Sequence, residues 1–513
     1  TYQEINQAVH QIAVGLQQLG VKKGTKVGLF LPNSPTFIIY YYAILQAGGI
    51  VVNYNPLYTV EELSYQVKDS ETELMVTLDL KVLFEKVEAL LANGVLNQAV
   101  IASFTALLPP TKAALFKIFK SGELARPLAS EQTAKITLES GLNTEPEFET
   151  VDIDPDQDIA VLQYTGGTTG QPKGAMLTHA NASINAMQVA AWAPNLVDGE
   201  ERILGVLPFF HVFAMTVVMN LGVTIAAKII IMPRFVLNDA LKLINSGRPT
   251  IMPGVPTLFN AILNHPKVKN YDLSTLVFCI SGGAPLPVEV KEKFETLTSC
   301  AIVEGYGLSE TSPVVSCNVV NGLNRAGSIG LPFPQTIISL RDLEEPTKEV
   351  PKGEAGEVCV KGPQVMKGYW KRPDDTDDVF VDGYLRTGDV ARMDDDGMFY
   401  IEDRIKDLII TSGFNVYPRQ IEEALYSIDE IEEATVIGIP HTHKGEVPKA
   451  FLKLKAGSQI EANEVLDKLA LKLSKPELPA EIEFRDELPK TMIGKLSKKE
   501  LKAEERARRQ DHS

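Results

Sequence analysis

The stretch "YTGGTTGQPKG", residues 164–174, holds four glycines, three threonines and one lysine in eleven residues. Glycine lets a ligand approach the backbone closely, so that consecutive N–H groups can face phosphate oxygens. Threonine hydroxyls add further donors, and the lysine adds a point charge. These residue types predict a phosphate-binding loop, formed by Thr165, Gly166, Gly167, Thr168, Thr169, Gly170 and Lys173.

The order of these residues excludes the two best-known phosphate loops. A Walker A loop needs Gly-Lys-Ser/Thr, whereas Lys173 is preceded by Pro172 and followed by Gly174. The Gly-x-Gly-x-x-Gly fingerprint of dinucleotide-binding folds is absent as well. We therefore expect a nucleotide chemistry of another kind, carried by a turn that follows the strand-like "DIAVLQY".

Other candidate residues lie in short motifs further along the chain. Taken alone, Asp389 is more simply a turn residue and Lys495 a solvated lysine of a basic tail, while Glu310 could equally cap or pair on a helix. Tyr306 is different, because a large aromatic ring between two glycines is hard to explain without a partner for its face. The motifs are "SGGAP" (281–285), "EGYGLSET" (304–311), "YLRTGD" (384–389), "DRIKDLIITSGFNVYP" (403–418) and "LPKTMIGKLSKKEL" (488–501).

Composition limits the classes of function. The chain has 513 residues, 44% of them hydrophobic and 23% charged, as in ordinary globular proteins that hold several cores. Its net charge of −16 repels polyanions, so nucleic acid is not an expected partner. The four cysteines are scattered and show no metal-clip or Cys-x-x-Cys spacing.

An uncharged stretch, residues 203–227, has the length of a membrane span. However, Pro208, His211 and Asn220 interrupt it, and its pattern indicates a strand, a helix and a second strand.

The elements that must position these motifs alternate between strands and helices. Up to about residue 320, apolar strands such as "TKVGLFL" and "TLVFCISG" alternate with amphipathic helices, which predicts an α/β fold with two mostly parallel, helix-covered sheets. Short strands and Gly/Pro turns then predict a small β-rich subdomain at about 327–402. We expect an N-terminal domain over 1–402, followed by the short segment 403–407 and a small α+β C-terminal domain over 408–513.

Together and in this order, the motifs resemble those of the adenylate-forming superfamily, which contains acyl-CoA synthetases, peptide-synthetase adenylation domains and luciferases. The resemblance covers essentially the whole chain. In detail the chain is most similar to bacterial long-chain fatty acid–CoA ligases, through "GFNVYP", "EFRDELPK" and "VKGPQVMKGYW". Ser309 stands where threonine is commoner in the superfamily, and its hydroxyl is preserved.

The resemblance implies ATP, Mg²⁺ and coenzyme A as cofactors and a fatty acid as substrate. It implies that Lys495, Glu310 and Thr165 are catalytic, that Glu310 is the metal ligand, that Lys406 is the hinge residue of a mobile C-terminal domain, and that Gly413 lines the coenzyme A tunnel. The acyl pocket would be formed by Phe209, His211, Val212 and Met215. Besides the phosphate loop, the nucleotide would contact Gly283, Ala284, Pro285, Glu304, Gly305, Tyr306, Gly307, Ser309, Asp389 and Arg404.

Several alternatives stay open at this stage. The pocket could serve medium-chain or aryl acids, or the scaffold could be a non-catalytic nucleotide-binding regulator. The expected location is the cytoplasm, with peripheral contact to the inner face of the membrane and a homodimer both left open. For the amphipathic piece near residues 115–120, a surface helix is the simpler interpretation, with a membrane contact as the alternative.

Overall fold

The computed structural model describes residues 1–125, 135–165, 171–193, 195–412, 414–491 and 494–510. It divides into two compact units. The first contains Thr1–Val236, Ser309–Pro313 and Pro363–Thr376, and the second contains Leu237–Leu308, Val314–Gly362 and Asp377–Ser513. Both units are interrupted along the chain, so the expected division at residue 402 stays a prediction.

The first unit is built on a seven-stranded sheet in the order β5-β4-β3-β1-β2-β6-β7. Its neighbouring strands are parallel except for the antiparallel pair β6 and β7. A second parallel pair, β8 and β9, follows. The strands are β1 (Lys26–Leu29), β2 (Ile50–Asn53), β3 (Leu74–Leu78), β4 (Gln98–Ala102), β5 (Ile136–Leu138), β6 (Ile159–Thr165), β7 (Lys173–Thr178), β8 (Arg202–Gly205) and β9 (Lys228–Ile231).

Local sequence explains why helices connect these strands. Ser34 accepts a hydrogen bond from the backbone N–H of Phe37 ahead of Pro35, and Thr59 forms a capping box with Glu62, so both following helices have defined starts. Every residue of β3 is buried, as expected for a strand covered on both faces. The helices of this unit are α1 (Tyr2–Gln18), α2 (Pro35–Gln46), α3 (Val60–Ser70), α4 (Lys81–Ala92), α5 (Pro110–Phe119), α6 (His179–Trp192), α7 (Val212–Ala214) and α8 (Leu221–Thr224).

The uncharged stretch 203–227 folds within this unit as the sequence predicts. It gives the end of β8, the short helix α7, a buried π-helical turn at Met215–Asn220 and α8, and β9 follows. Within the described residues, no helix has both the length and the hydrophobicity needed to cross a membrane.

The second unit begins with parallel strands β10, β11 and β12, followed by antiparallel β13 and β14. An antiparallel sheet in the order β15-β16-β18-β17, with β19 on β18, forms the predicted β-rich part. The strands are β10 (Ile251–Gly254), β11 (Phe278–Gly282), β12 (Ala301–Gly307), β13 (Val314–Cys317), β14 (Leu331–Pro332), β15 (Ile337–Arg341), β16 (Gly356–Lys361), β17 (Phe380–Val381), β18 (Tyr384–Met393) and β19 (Phe399–Arg404).

The C-terminal part of the second unit has its own sheet, in the order β21-β20-β23-β22 with β24 beside β23. Its core includes Ile421, Leu425, Val436 and Leu452. The strands are β20 (Ile409–Thr411), β21 (Phe414–Val416), β22 (Ile431–His441), β23 (Gly445–Leu454) and β24 (Glu481–Phe484). The remaining helices of the chain are α9 (Leu237–Gly247), α10 (Pro256–Leu263), α11 (Val288–Thr298), α12 (Pro373–Val379), α13 (Pro418–Tyr426), α14 (Ala462–Ala470) and α15 (Lys498–Gln510).

Candidate active site

The two ends of the predicted phosphate loop face each other in the first unit. Thr165 ends β6, Lys173 begins β7, and the two residues pair directly in the antiparallel ladder. Residues Gly166, Gly167, Thr168, Thr169 and Gly170 lie outside the described residues. The ladder therefore fixes the base of the loop.

Lys173 is held by groups that the sequence did not single out. Its Nζ lies 2.5 Å from Oδ1 of Asp375 and 5.2 Å from the ring centroid of Tyr369. Both partners belong to the segment Pro363–Thr376, which runs beside β7. The Trp370 N–H donates to the Gly174 carbonyl at 2.8 Å, and the Met176 N–H donates to the Gly368 carbonyl at 2.9 Å.

Glu310, the predicted metal ligand, contacts the same segment. It lies with Ser309 in a single 3₁₀ turn, Ser309–Thr311, and is half-buried. The Tyr369 hydroxyl donates to Oε1 of Glu310 at 2.7 Å, and the Met366 N–H donates to the Glu310 carbonyl at 2.8 Å. Burial and the Glu310 carboxylate both raise the pKa of Tyr369, so its hydroxyl stays protonated and can donate.

The chemistry of this carboxylate fits the implied metal. Mg²⁺ prefers oxygen ligands and is commonly bound through one or two carboxylates plus substrate phosphates and water. Among the described residues there is no group of three or more His, Cys, Asp or Glu that could hold a metal ion. A Mg²⁺ ion carried by ATP phosphates would need only one protein carboxylate, and Glu310 is of the right type.

In the second unit, two nucleotide motifs meet at one edge of a parallel sheet. Ser281 pairs with Glu304 and Gly282 pairs with Gly305, so the loop of Gly283, Ala284 and Pro285 leaves the sheet beside Tyr306. Ligands of such folds bind outside the carboxyl ends of the strands. Gly307 ends β12, where the pairing with β13 shifts register between Tyr306 and Gly307.

Glu304 ties the two motifs together. Its Oε1 accepts a hydrogen bond from the Leu286 N–H at 3.2 Å, directly after the 283–285 loop. Burial raises the pKa of Glu304 to about 7, against the lowering effect of the Arg419 charge and of this hydrogen bond. The Glu304 carboxyl group thus binds the backbone directly after the 283–285 loop and holds that end of the loop near β12.

Tyr306, Asp389 and Arg404 form a connected cluster in the second unit. The Tyr306 hydroxyl donates to Oδ2 of Asp389 at 2.7 Å, and Nε of Arg404 lies 3.0 Å from Oδ1 of Asp389. The pairing of β18 with β19 places Asp389 opposite Arg404. Asp389 is 4% exposed, and its charge raises the pKa of Arg404.

Lys495 reaches the loop of Gly283, Ala284 and Pro285 within this unit. A Cβ built on Gly283, whose φ is +83°, would lie 2.5 Å from Cε and 3.0 Å from Nζ of Lys495. Burial, and after it the positive charge of Arg404, lower the pKa of Lys495 to about 8, whereas the charge of Asp389 raises it. The lysine therefore lies close enough to the Asp389 cluster to be influenced by both charges.

The turn that carries Lys495 is fixed by residues that the sequence did not indicate. The Thr257 hydroxyl, on α10, donates to the Gly494 carbonyl at 2.6 Å. The Lys495 N–H donates to the Thr491 hydroxyl at 3.2 Å, and the Thr491 N–H donates to the Lys495 carbonyl at 2.7 Å. Thr257 carries no sequence signal for this contact, because its partner Gly494 lies 237 positions away.

The predicted acyl-pocket residues lie together at the start of the apolar stretch in the first unit. Phe209, Val212 and Met215 are buried, and the Phe209 N–H donates to Oδ1 of Asn33 at 2.7 Å. His211 caps α7, since its Nδ1 accepts from the Phe213 N–H at 3.3 Å. These contacts fix the backbone on either side of His211.

Two residues are singled out for the predicted movement of the C-terminal domain. The first, Lys406, is exposed in the 3₁₀ turn Ile405–Asp407 between β19 and β20. Gly413, predicted to line the coenzyme A tunnel, lies outside the described residues. Its role stays a prediction.

Comparison with known proteins decides the family. The model of the AMP-binding enzyme family matches residues 1–370, and that of the AMP-binding enzyme C-terminal domain matches residues 420–495. The chain belongs to the AMP-binding enzyme family. This membership confirms the resemblance recognised in the motifs and the expectation of an adenylate-forming ligase that uses ATP, Mg²⁺ and coenzyme A.

Relatives and solved structures agree with this assignment. The long-chain-fatty-acid–CoA ligase of Bacillus subtilis (strain 168) is 44% identical over 98% of this chain and 90% of its own length. The feruloyl-CoA synthase of an Amycolatopsis species is 34% identical over 98% of this chain and 93% of its own length. Among solved structures, ATP-bound MatB from Rhodopseudomonas palustris has a TM-score of 0.83 and 29% identity, covering 98% of this chain and 93% of MatB. The α/β fold with a small C-terminal part is thereby confirmed.

A change at Gly283 tests the packing of Lys495. We expect Gly283→Ala to displace the lysine and to lower the rate of adenylate formation about 10²-fold, the usual loss when one preorganised donor is removed. Pyrophosphate exchange measures this rate. Gly353→Ala is the matched control, because Gly353 also has a positive φ, +92°, but its Cβ would meet nothing within 4 Å. Equal losses in the two variants would assign the effect to backbone strain alone.

The lowered pKa of Lys495 gives a pH prediction. Only the protonated amine carries the charge that stabilises a developing phosphate charge, so kcat/KM for pyrophosphate exchange should fall as pH rises through about 8. An arginine stays protonated throughout this range, so the residual activity of Lys495→Arg should lack this basic limb. If the variant keeps the same limb as the wild type, the titrating group is not Lys495.

Proposed function

We propose that this ligase activates a long-chain fatty acid with ATP and transfers the acyl group to coenzyme A. The observation that carries the proposal is the contact of Lys495 with Gly283, beside the cluster of Asp389 and Arg404. Lys495, from motif 488–501, thus lies close to Gly283 and within range of the charges of Asp389 and Arg404. This is the arrangement that the first half-reaction requires.

In the first half-reaction, a carboxylate oxygen of the fatty acid attacks the α-phosphorus of ATP. A new P–O bond forms, the bond to pyrophosphate breaks, and negative charge grows on the phosphate oxygens. Catalysis then depends on placing positive charges and donors around this phosphate. Lys495 is the cation assigned to the α-phosphate and the substrate carboxylate.

The remaining roles follow from the two groups of residues. Tyr306 presents its ring to adenine, and Asp389 accepts from the ribose hydroxyls, with Arg404 assisting beside it. The loop from Thr165 to Lys173 holds the β- and γ-phosphates. Glu310 would hold Mg²⁺, which supplies charge neutralisation at the phosphates when bound. In support, Thr165 pairs with Lys173, and Asp389 contacts both Tyr306 and Arg404.

In the second half-reaction, the thiol of coenzyme A attacks the carbonyl carbon of the acyl-adenylate. A C–S bond forms, the C–O bond to AMP breaks, and the thiol proton passes to solvent. We assign residues 1–402 to the N-terminal domain, Lys406 in segment 403–407 to the hinge, and 408–513 to the C-terminal domain. Rotation at Lys406 would withdraw Lys495 and bring Gly413 to the pantetheine path.

A long-chain substrate is supported by two observations. The Bacillus subtilis relative, identical at 44% of positions, is named a long-chain-fatty-acid–CoA ligase. In addition, Phe209, Val212 and Met215 begin a buried, uncharged wall that continues through the π-helical turn Met215–Asn220. Methionine and phenylalanine suit a flexible apolar channel for an acyl chain.

An aryl acid is the second candidate substrate. It is favoured by the Amycolatopsis relative, which is named a feruloyl-CoA synthase and is 34% identical over nearly the full chain. The two candidates differ in pocket shape: an aryl acid needs a short, wide pocket, whereas an acyl chain needs a long, narrow one.

A series of saturated acids separates these candidates. Each buried CH₂ contributes about 0.8 kcal/mol, so kcat/KM should rise from about C8 to roughly C14–C16 and then level when the channel is full. Thioester formation with ATP and coenzyme A is the measurement, and benzoate and ferulate are the comparison substrates. A maximum with an aryl acid or with acetate would contradict the long-chain assignment.

Peripheral membrane contact and a homodimer stay predictions. Helix α5 presents to solvent a face on which Leu115, Ile118 and Phe119 are exposed by 55%, 69% and 79%. Lys112, Lys117 and Lys120 flank this face, which suits an anionic lipid surface. Flotation with anionic and with neutral vesicles tests the contact, and light scattering of the purified chain tests the dimer.

A further inference from the structure

Tyr369 lies between the two groups of the first unit that are assigned to phosphate and metal. Its hydroxyl donates to Oε1 of Glu310 at 2.7 Å, and the face of its ring lies 5.2 Å from Nζ of Lys173. One side chain thus contacts both a carboxylate and a lysine that are 137 positions apart (310 − 173). The hydroxyl makes the contact with Glu310, and the ring makes the contact with Lys173.

The backbone of Tyr369 is held at several points. Tyr369 forms a β-bridge with Ala175, and its N–H donates to the Thr376 hydroxyl at 2.9 Å. The residues on either side, Gly368 and Trp370, pair with β7. A side chain on such a fixed backbone can hold its partners in a defined geometry.

The segment that carries Tyr369, Pro363–Thr376, is also held by ion pairs between side chains. Nη2 of Arg372 lies 2.8 Å from Oδ1 of Asp69, whose Oδ2 accepts from the Tyr164 hydroxyl at 2.6 Å. Tyr164 directly precedes Thr165 at the base of the phosphate loop. Asp375, six residues after Tyr369, provides the counter-charge for Lys173. The segment therefore contacts Glu310 and residues at the base of the predicted phosphate loop.

We propose that Tyr369 is a positioning residue for adenylate formation, whose hydroxyl orients the metal-binding carboxylate of Glu310 and whose ring orients Lys173 toward phosphate. The proposal rests on the function assigned above to Glu310 and Lys173. The hydroxyl directs one carboxylate oxygen and leaves the other to face the metal. The ring face attracts the lysine ammonium by a cation–π interaction and limits its directions of approach.

The two contacts predict separable effects. Tyr369→Phe keeps the ring and removes only the hydroxyl, so it should weaken metal binding and leave the contact with Lys173 in place. Loss of a group that orients a metal ligand typically costs about 10-fold or more in metal affinity. Tyr369→Ala removes both contacts and should in addition raise the KM for ATP.

The test measures metal binding directly as well as activity. The dissociation constant of Mn²⁺ from the enzyme–ATP complex, measured by electron paramagnetic resonance, should rise about 10-fold in Tyr369→Phe. The Mg²⁺ concentration for half-maximal pyrophosphate exchange should rise in parallel, with the KM for fatty acid unchanged. Tyr400→Phe is the matched control, because the Tyr400 hydroxyl also donates to a carboxylate, Oδ2 of Asp394 at 3.0 Å, among residues assigned no part in the reaction.

Two further variants separate this proposal from the assigned function. If Glu310→Gln weakens Mn²⁺ binding and Tyr369→Phe leaves it at the wild-type value, Glu310 keeps its role and the proposal for Tyr369 is wrong. If Glu310→Gln itself leaves Mn²⁺ binding unchanged, the metal assignment fails. A change in Tyr369→Phe that Tyr400→Phe reproduces in full would show a general effect on the fold and would also overturn the proposal. Lys173→Ala should raise the KM for ATP with little change in Mn²⁺ affinity.

Discussion

A carboxylate that is removed from water must be protonated or must find partners that replace its hydration, and Asp389 has two such partners. The Tyr306 hydroxyl occupies one of its oxygens and the Arg404 guanidinium the other. This shared carboxylate joins the end of β12 to the pair β18 and β19 within the second unit. Loss of either partner would leave one oxygen of this carboxylate, which is 4% exposed, without that partner, so the three residues have to be considered as one group.

Burial and the charges of Arg404 and Asp389 together determine the protonation state of Lys495. Its amine lies where burial and Arg404 disfavour the cation and Asp389 favours it, with the result that its pKa falls to about 8. The Lys495 amine can occupy this position because Gly283 has no side chain that would displace it. The Thr257 hydroxyl holds the preceding carbonyl, so the turn as well as the lysine tip is fixed. Before ATP binds, the protonated form of the Lys495 amine is only weakly favoured. When the phosphates of ATP arrive, their negative charge favours the protonated amine.

The sequence predicts much of this arrangement because the chemistry is concentrated in short motifs. The glycines and threonines at 165–173 predict a phosphate loop from residue type alone, and the strand–helix alternation predicts the α/β fold. The motif order then assigns Tyr306, Asp389, Arg404 and Lys495, of which Asp389 and Lys495 are ambiguous when taken alone. In the structure these four residues influence one another within a single unit.

The supporting residues could not be predicted, since their function depends on partners far away in the chain. Tyr369 is 59 positions from Glu310, Asp375 is 202 positions from Lys173, and Thr257 is 237 positions from Gly494. A tyrosine in "VMKGYW" or an aspartate in "RPDDT" carries no local signal for these contacts. The pairing of segment Pro363–Thr376 with β7, within the first unit, brings Asp375 and Tyr369 to Lys173.

The central claim is that Lys495 acts in adenylate formation and not in thioester formation, and separate assays of the two half-reactions test it most directly. Lys495→Ala should lose pyrophosphate exchange by about 10²–10³-fold, while it still converts supplied acyl-adenylate and coenzyme A to thioester at near the wild-type rate. Gly413→Leu should show the reverse pattern, because a side chain there would obstruct the pantetheine path. Equal losses in both half-reactions for the two variants would contradict the account.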